Sequence, residues 1–245
     1  MGEVYLAEEV ELGRKVALKL LARELTEDDR FRERFLRESR LAASLNHPHI
    51  VPVYRAGESD GVLFIAMHYV EGTDLGRLLR GHERGLDPGH AASIIEQLAD
   101  ALDAAHERGL IHRDVKPANV LIAERRRGGH CYLADFGLTR HSSSQSRLTA
   151  TGDFMGTVDY AAPEQILGRE QVDHRVDVYS LGCVLYECLT GTTPFRGDRD
   201  YAVMWAHVHS PVPTVTDKTA GLPAELDTVI GRALAKSPDD RYAGG

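Results

Sequence analysis

Between Asp173 and Leu189, apolar side chains fall on nearly every side of a helix: Val176, Val178, Leu181, Val184, Leu185 and Leu189. A helix that is apolar all round is stable only when buried, so this one is expected at the centre of a larger helical body. Its neighbours supply the wrapping. Asp87-Pro88 pairs an N-cap with a proline in the first turn, Ile94, Leu98, Leu102 and Ala105 form a stripe, and Gly109 closes the helix. Pro223 to Lys236 gives a last amphipathic helix through Leu226, Val229, Ile230, Ala233 and Leu234.

The first part of the chain reads differently. Val4 to Ala7 and Val16 to Leu21 read as strands joined through Leu12-Gly13-Arg14, and Ile50 to Ala56 and Val62 to Met67 as two more. One helix lies between them, with Thr26 and Asp29 as its capping box and Asn46-His47-Pro48 as its stop. Its stripe is Phe31, Phe35, Ala42 and Leu45, and Glu38 falls on the same face. A carboxylate on a buried stripe needs a cation. Strands first and helices second predict an α+β architecture with two lobes, a small β-rich one over residues 1–70 and a larger helical one over 71–245.

With 245 residues, 42% of them hydrophobic, the chain can bury a core without disulfides or structural metal. Cys131, Cys183 and Cys188 lack CxxC spacing and sit among apolar residues, so they read as reduced core residues of a cytoplasmic protein. The net charge of −8 leaves no basic field for nucleic acid. Val62 to Met67 is far short of the roughly 18 apolar residues of a membrane span, and no signal peptide is read at the start. The expected location is the cytoplasm, free or as the cytoplasmic part of a longer membrane protein.

Two segments carry chemistry. His112-Arg113-Asp114-Val115-Lys116-Pro117-Ala118-Asn119 follows the Gly109 stop, and Asp135-Phe136-Gly137 comes sixteen residues after Asn119, directly behind a strand. Moving a phosphoryl group requires neutralised phosphate charge, a placed metal ion and an oriented hydroxyl. Asp114 can accept the hydroxyl proton, Lys116 can steady the transferred group, and Asn119 and Asp135 offer hard oxygens to Mg²⁺. His112 reads as a packed loop anchor rather than a base. His47, His49, His207 and His209 lack metalloenzyme spacing.

These segments resemble the signature set of the protein-kinase superfamily, and the likeness covers nearly the whole chain. Val16-Ala17-Leu18-Lys19 is similar to the strand that supplies the phosphate-binding lysine, and Glu38, nineteen residues on, to the helix carboxylate that pairs with it. The resemblance implies ATP as co-substrate, held by Gly2, Val4, Ala17, Lys19, Met67, Tyr69, Val70, Leu121 and Asp135. Met67 would be the gatekeeper and His68-Tyr69-Val70 the hinge. Asp114, Lys116, Asn119, Lys19 and Glu38 would form the catalytic set. The metal ligands would be Asn119 and Asp135, for Mg²⁺ or in its place Mn²⁺. Ala161-Ala162-Pro163-Glu164 resembles the end of the activation loop, Arg241 the partner of that glutamate, and Asp177 the brace of the catalytic loop. Lys116 and Thr157 resemble Ser/Thr kinases of the bacterial eukaryotic-like group, with Thr157 positioning substrate between Asp114 and Lys116. Arg113 before the catalytic aspartate implies control by phosphorylation at Thr149 and Thr151, with a homodimer for phosphorylation in trans.

The likeness is incomplete at the ends. Met1-Gly2 matches only the end of the glycine-rich loop, and the final helix of the family is not found, which predicts a fragment. A pseudokinase or nucleotide-binding scaffold is the alternative. Intact Lys19, Asp114, Asn119 and Asp135 argue against it. Tyr201 and Trp205 fit a docking surface and a core role equally.

Overall fold

The computed structural model describes residues 2–22, 28–123, 129–136, 158–169 and 171–245. Strands β1 (Glu3–Glu9), β2 (Arg14–Leu20), β3 (Val53–Ser59) and β4 (Val62–His68) form an antiparallel sheet in the order β1-β2-β4-β3. Helix α1 (Asp29–Ser44) packs on β3. The third strand starts later than the expected Ile50 because Pro52 has no N–H to give a ladder. Val51 instead donates its N–H to the Leu133 carbonyl, 3.0 Å away in the other lobe.

Helix α1 is capped by Asp28, whose carboxylate accepts the N–H groups of Arg30 and Phe31. That replaces the expected capping box; Thr26 lies outside the described residues. The buried face of α1 is Phe31, Phe35, Ser39 and Ala42. Ser39, not Glu38, occupies the third position on it.

The larger lobe begins with β5 (Gly72–Asp74), α2 (Leu75–Arg80) and α3 (Pro88–His106). Asp87 accepts the N–H groups of Gly89 and His90, and Gly109 takes φ +73° just beyond the helix end. Both features stand where the sequence put them. Strands β6 (Val120–Ala123) and β7 (His130–Leu133) complete a second sheet in the order β5-β6-β7. Then come α4 (Pro163–Ile166), α5 (Arg175–Thr190), α6 (Asp200–His209) and α7 (Glu225–Ala233). Helix α5 buries thirteen of its sixteen residues, as its all-round apolar sequence requires. Its Gly182 lets α7 approach closely: a Cβ there would sit 2.9 Å from the Ala233 methyl.

The core runs through both lobes, from Phe31, Phe35 and Leu63 to Leu98, Leu133 and Tyr179. All three cysteines are free and buried. Burial raises their thiols, Cys131 to about 11 and Cys188 to about 12. No described helix is long and apolar enough to cross a membrane. Tyr201 and Trp205 are 64% and 61% exposed on α6, which removes the core reading for both. His207 is fully buried and hydrogen-bonded to the Tyr179 hydroxyl, a structural histidine.

Candidate active site

Strand register explains the side expected to hold nucleotide. Val4 pairs with Lys19, and Ala17 with both Leu6 and Met67. Opposed residues share a sheet face, and so do residues two apart, so Val4, Ala17, Lys19 and Met67 all present to the same side. That face meets the second sheet in an apolar cluster of Ala17, Val51, Met67, Val70, Leu121, Tyr132 and Ala134. The cluster bridges the lobes at the hinge. Gly2 lies against the end of β2, where a Cβ would fall 2.1 Å from the Leu20 carbonyl oxygen. Tyr69 follows β4 in the hinge and is half-buried.

The loop from His112 to Asn119 hangs from α5. Asp177, in the first turn of that helix and fully buried, accepts the N–H of His112 at 2.8 Å and of Arg113 at 2.7 Å. Arg113 is held at φ +63°, a left-handed conformation that costs a non-glycine residue about 1–3 kcal/mol. Asp114 comes next, and its carboxylate contacts Lys116 Nζ at 2.8 Å and Asn119 Nδ2 at 3.1 Å. Asn119 Nδ2 also donates to the Asp114 carbonyl at 2.8 Å. With the amide hydrogens turned to Asp114, the side-chain oxygen of Asn119 is left for a cation.

His112 is the anchor the sequence suggested. Its ring is fully buried, accepts the Asp114 N–H at Nδ1 and reaches the Ala134 carbonyl through Nε2 at 3.0 Å. Phe136 packs on it with ring centroids 4.7 Å apart. Asp135, at φ +63°, forms an ion pair with Lys19, 2.8 Å from Nζ to Oδ1.

That pair corrects an expectation. Lys19 does not meet Glu38; its partner is Asp135. The reason is rotation of α1. Successive helical residues are 100° apart, and with Ser39 on the buried face Glu38 is turned aside. Burial pushes the Glu38 carboxyl above its ordinary range, against the opposing pull of Arg34, Arg113 and Arg37.

The activation-loop side is anchored by a buried bidentate pair, Arg241 to Glu164 at 2.6 and 2.8 Å, as the sequence suggested. Ser180 of α5 donates to the Tyr160 carbonyl at 2.8 Å. Gly137, Thr149, Thr151 and Thr157 lie outside the described residues, so their expected roles have no geometry here. A polar groove opens beside Lys116, lined by Arg80, Ala118, Tyr160 and Glu187 among others. Glu187 went unread in the sequence, although a carboxylate deep in an apolar helix is a readable signal. Desolvation raises its carboxyl, while the hydrogen bond from the Tyr160 hydroxyl lowers it.

The donor set fits a divalent cation. Asn119 and Asp135 provide hard oxygens, and no group of three or more His, Cys, Asp or Glu among the described residues could form a closed cage. Such a site suits an ion that completes its shell with phosphate and water.

The protein kinase domain model matches residues 1–243. The chain belongs to the protein kinase family. Over 99% of its length this kinase domain is 44% identical to serine/threonine-protein kinase PknH of Mycobacterium tuberculosis, and 43% identical to PknE of the same species. It spans 38% and 42% of the lengths of those two proteins. Among solved structures it resembles the Mycobacterium tuberculosis PknI kinase domain, with a TM-score of 0.79 and 37% identity over 100% of this chain and 87% of that one. The match runs along the whole kinase domain of this chain, and both relatives are named serine/threonine-protein kinases.

Proposed function

We propose that this kinase domain transfers the γ-phosphoryl group of ATP to Ser and Thr hydroxyls of protein substrates, using Mg²⁺. The observation that carries the reading is the hydrogen-bonded group of Asp114, Lys116 and Asn119 beside an apolar cluster between the lobes. Asp114 accepts the proton of the acceptor hydroxyl. Lys116, already 2.8 Å from that carboxylate, offsets charge on the transferred group. Ala17, Met67, Val70 and Leu121 take the adenine, with Val4 and Gly2 above it and the Tyr69 backbone in the hinge. Lys19 leaves Asp135 for the phosphates when ATP enters. Asn119 and Asp135 hold the metal ion, which neutralises phosphate charge when bound. The chain's own contribution is placement and a preset electrostatic field.

Acceptor proteins lie across the groove of Arg80, Tyr160 and Glu187. Thr149 and Thr151 are sites of phosphorylation in trans between two copies of the domain, and Thr157 positions the acceptor. Arg113, next to Asp114, supports phosphate control, because an arginine gains charge-assisted bonds to a phosphothreonine. Three free cysteines and the use of ATP support a cytoplasmic working environment.

The test is incorporation of labelled γ-phosphate with Mg²⁺ into the chain and into a basic protein, with the modified residues mapped by mass spectrometry. Asp114→Asn should lower the rate by about 10²–10⁴-fold while leaving ATP binding intact. Label on Thr149 or Thr151 supports the regulatory part. Equal rates for wild type and Asp114→Asn, or ATP binding without any transfer, would return the scaffold reading.

A further inference from the structure

We propose that the rings of His47, His49 and His130 form a proton-sensitive clasp between the lobes, closed while they are neutral and loosened once acid charges them. The lobes meet here through a short backbone bridge. Leu133 donates its N–H to the His49 carbonyl at 2.8 Å, and Val51 donates to the Leu133 carbonyl at 3.0 Å. The rings flank that bridge and reach across it in both directions. His49 Nδ1 lies 3.0 Å from the Cys131 carbonyl on β7, and His130 Nε2, from β7, lies 2.9 Å from the Pro48 carbonyl. These two rings pack on each other with centroids 4.7 Å apart, and His47 meets His49 at 5.7 Å. Leu133, at the centre of the bridge, stands two residues before Asp135.

A carbonyl oxygen only accepts, so each ring contact to one fixes a hydrogen. It sits on Nδ1 of His49 and on Nε2 of His130. The His49 N–H reaches His47 Nδ1 at 3.3 Å, which leaves that nitrogen bare. Neutral imidazoles therefore satisfy every bond of the clasp. An imidazole gains its second proton at about pH 6.5 in water. All three rings are half-buried and within reach of solvent protons. A proton on His47 Nδ1 takes the acceptor away from His49, and like charges on packed rings repel. Burial lowers the His47 ring from its ordinary value, His49 adds to this, and Asp100 on α3 opposes it. The folded chain thus releases the His47 proton more readily than the unfolded chain does. The resulting stability is fully present above the ordinary 6.5 and is lost as pH falls from there towards the lowered value. Tyr132 packs on His130 with centroids 4.5 Å apart, and His68 follows at 6.0 Å from Tyr132. Burial, and then Arg14, lower the His68 ring as well. His90 of α3 lies beside Gly129, next to His130. No group of three or more His, Cys, Asp or Glu among the described residues could hold a metal ion, so the array is a proton site and not a metal site.

The test is a variant that keeps the bonds and cannot be charged. Asparagine places its oxygen or its amide hydrogens near imidazole Nδ1, and glutamine places amide hydrogens near Nε2. His47→Asn, His49→Asn and His130→Gln are therefore combined, and both proteins are studied in EDTA. Between about pH 7.5 and 5.5, the Val51 and Leu133 amides of wild type should lose roughly ten-fold in protection from hydrogen exchange, corrected for the intrinsic rate, while amides within α5 keep theirs. The triple variant should hold its protection at both positions. Its melting temperature relative to wild type should rise by about 2–4 °C over the same fall in pH. Should the triple variant not fold, His130→Gln alone should lessen the loss, since it removes one of the two packed charges. Unchanged protection in wild type, an equal loss in variant and wild type, or a loss shared by α5 would each overturn the inference. Exchange reads the junction itself, so the outcome is separate from whether the chain transfers phosphate.

Discussion

The two halves of the cleft are built by different rules. On the helical side, charged groups are buried and fully engaged: Asp177 takes three hydrogen bonds, and Glu164 and Arg241 face each other in a pair almost closed to water. On the sheet side, Lys19 pairs with a one-third exposed Asp135, Glu38 is turned from the position its sequence spacing suggested, and Ser39 is buried with no partner among the described residues. The first arrangement is costly to disturb because each buried charge depends on a specific partner. The second leaves groups that can be exchanged at small cost. The proposed phosphoryl transfer, which needs a fixed base and an adjustable grip on nucleotide, would be served by that division.

The sharpest way to break the comparison is on the helical side. Arg241→Ala leaves Glu164 buried without its cation and should cost about 3–5 kcal/mol, read from urea unfolding. A loss below about 1 kcal/mol would put this pair in the same class as exposed ones. On the sheet side the sign reverses. Ser39→Ala removes an unpartnered hydroxyl from a site 2% exposed and adds helix propensity, so it should raise stability by about 1 kcal/mol in the same measurement. Destabilisation there would mean that the hydroxyl has a partner in solution.

The smallest effect is Glu38→Gln, and it depends on pH. Burial raises the Glu38 carboxyl, so the folded chain holds this proton more tightly than the unfolded chain does. The resulting stability is present below the ordinary value of 4.5 and is lost as pH rises through the raised one. Glutamine has no such loss. The variant should therefore gain on wild type as pH climbs from about 4 to 7, by less than the Ser39 change, in melting curves taken across that range. A difference that is flat with pH would remove burial as the cause.

Much of the helical side was legible in sequence because its signals are local. Asp87-Pro88 and Gly109 mark the ends of α3 within a few residues, and the all-apolar run of α5 has few ways to fold. The loop from His112 to Asn119 was legible from the order of its polar groups. What sequence missed depends on distance or on angle. His106 meets Asp177 across 71 positions, so nothing near it announces the contact. Glu38 and Ser39 are neighbours, and a stripe stepping by three and four admits either one; only packing on β3 chooses. The late start of β3 turned on one proline whose missing hydrogen bond is visible only once its neighbour's partner is known.

The ring of His112 has a consequence for how the site could change. It touches the backbone of Asp114 with one nitrogen and that of Ala134 with the other, so its width gauges the spacing between the two acidic loops. Asp114 and Asp135 come from separate loops, yet one rigid spacer sets their separation. A shift of either loop must carry the other along or break a buried contact. Redesigning the cleft for a different acceptor would then mean reshaping the groove around the pair, since the interval between the acids is a dimension the protein cannot tune in small steps.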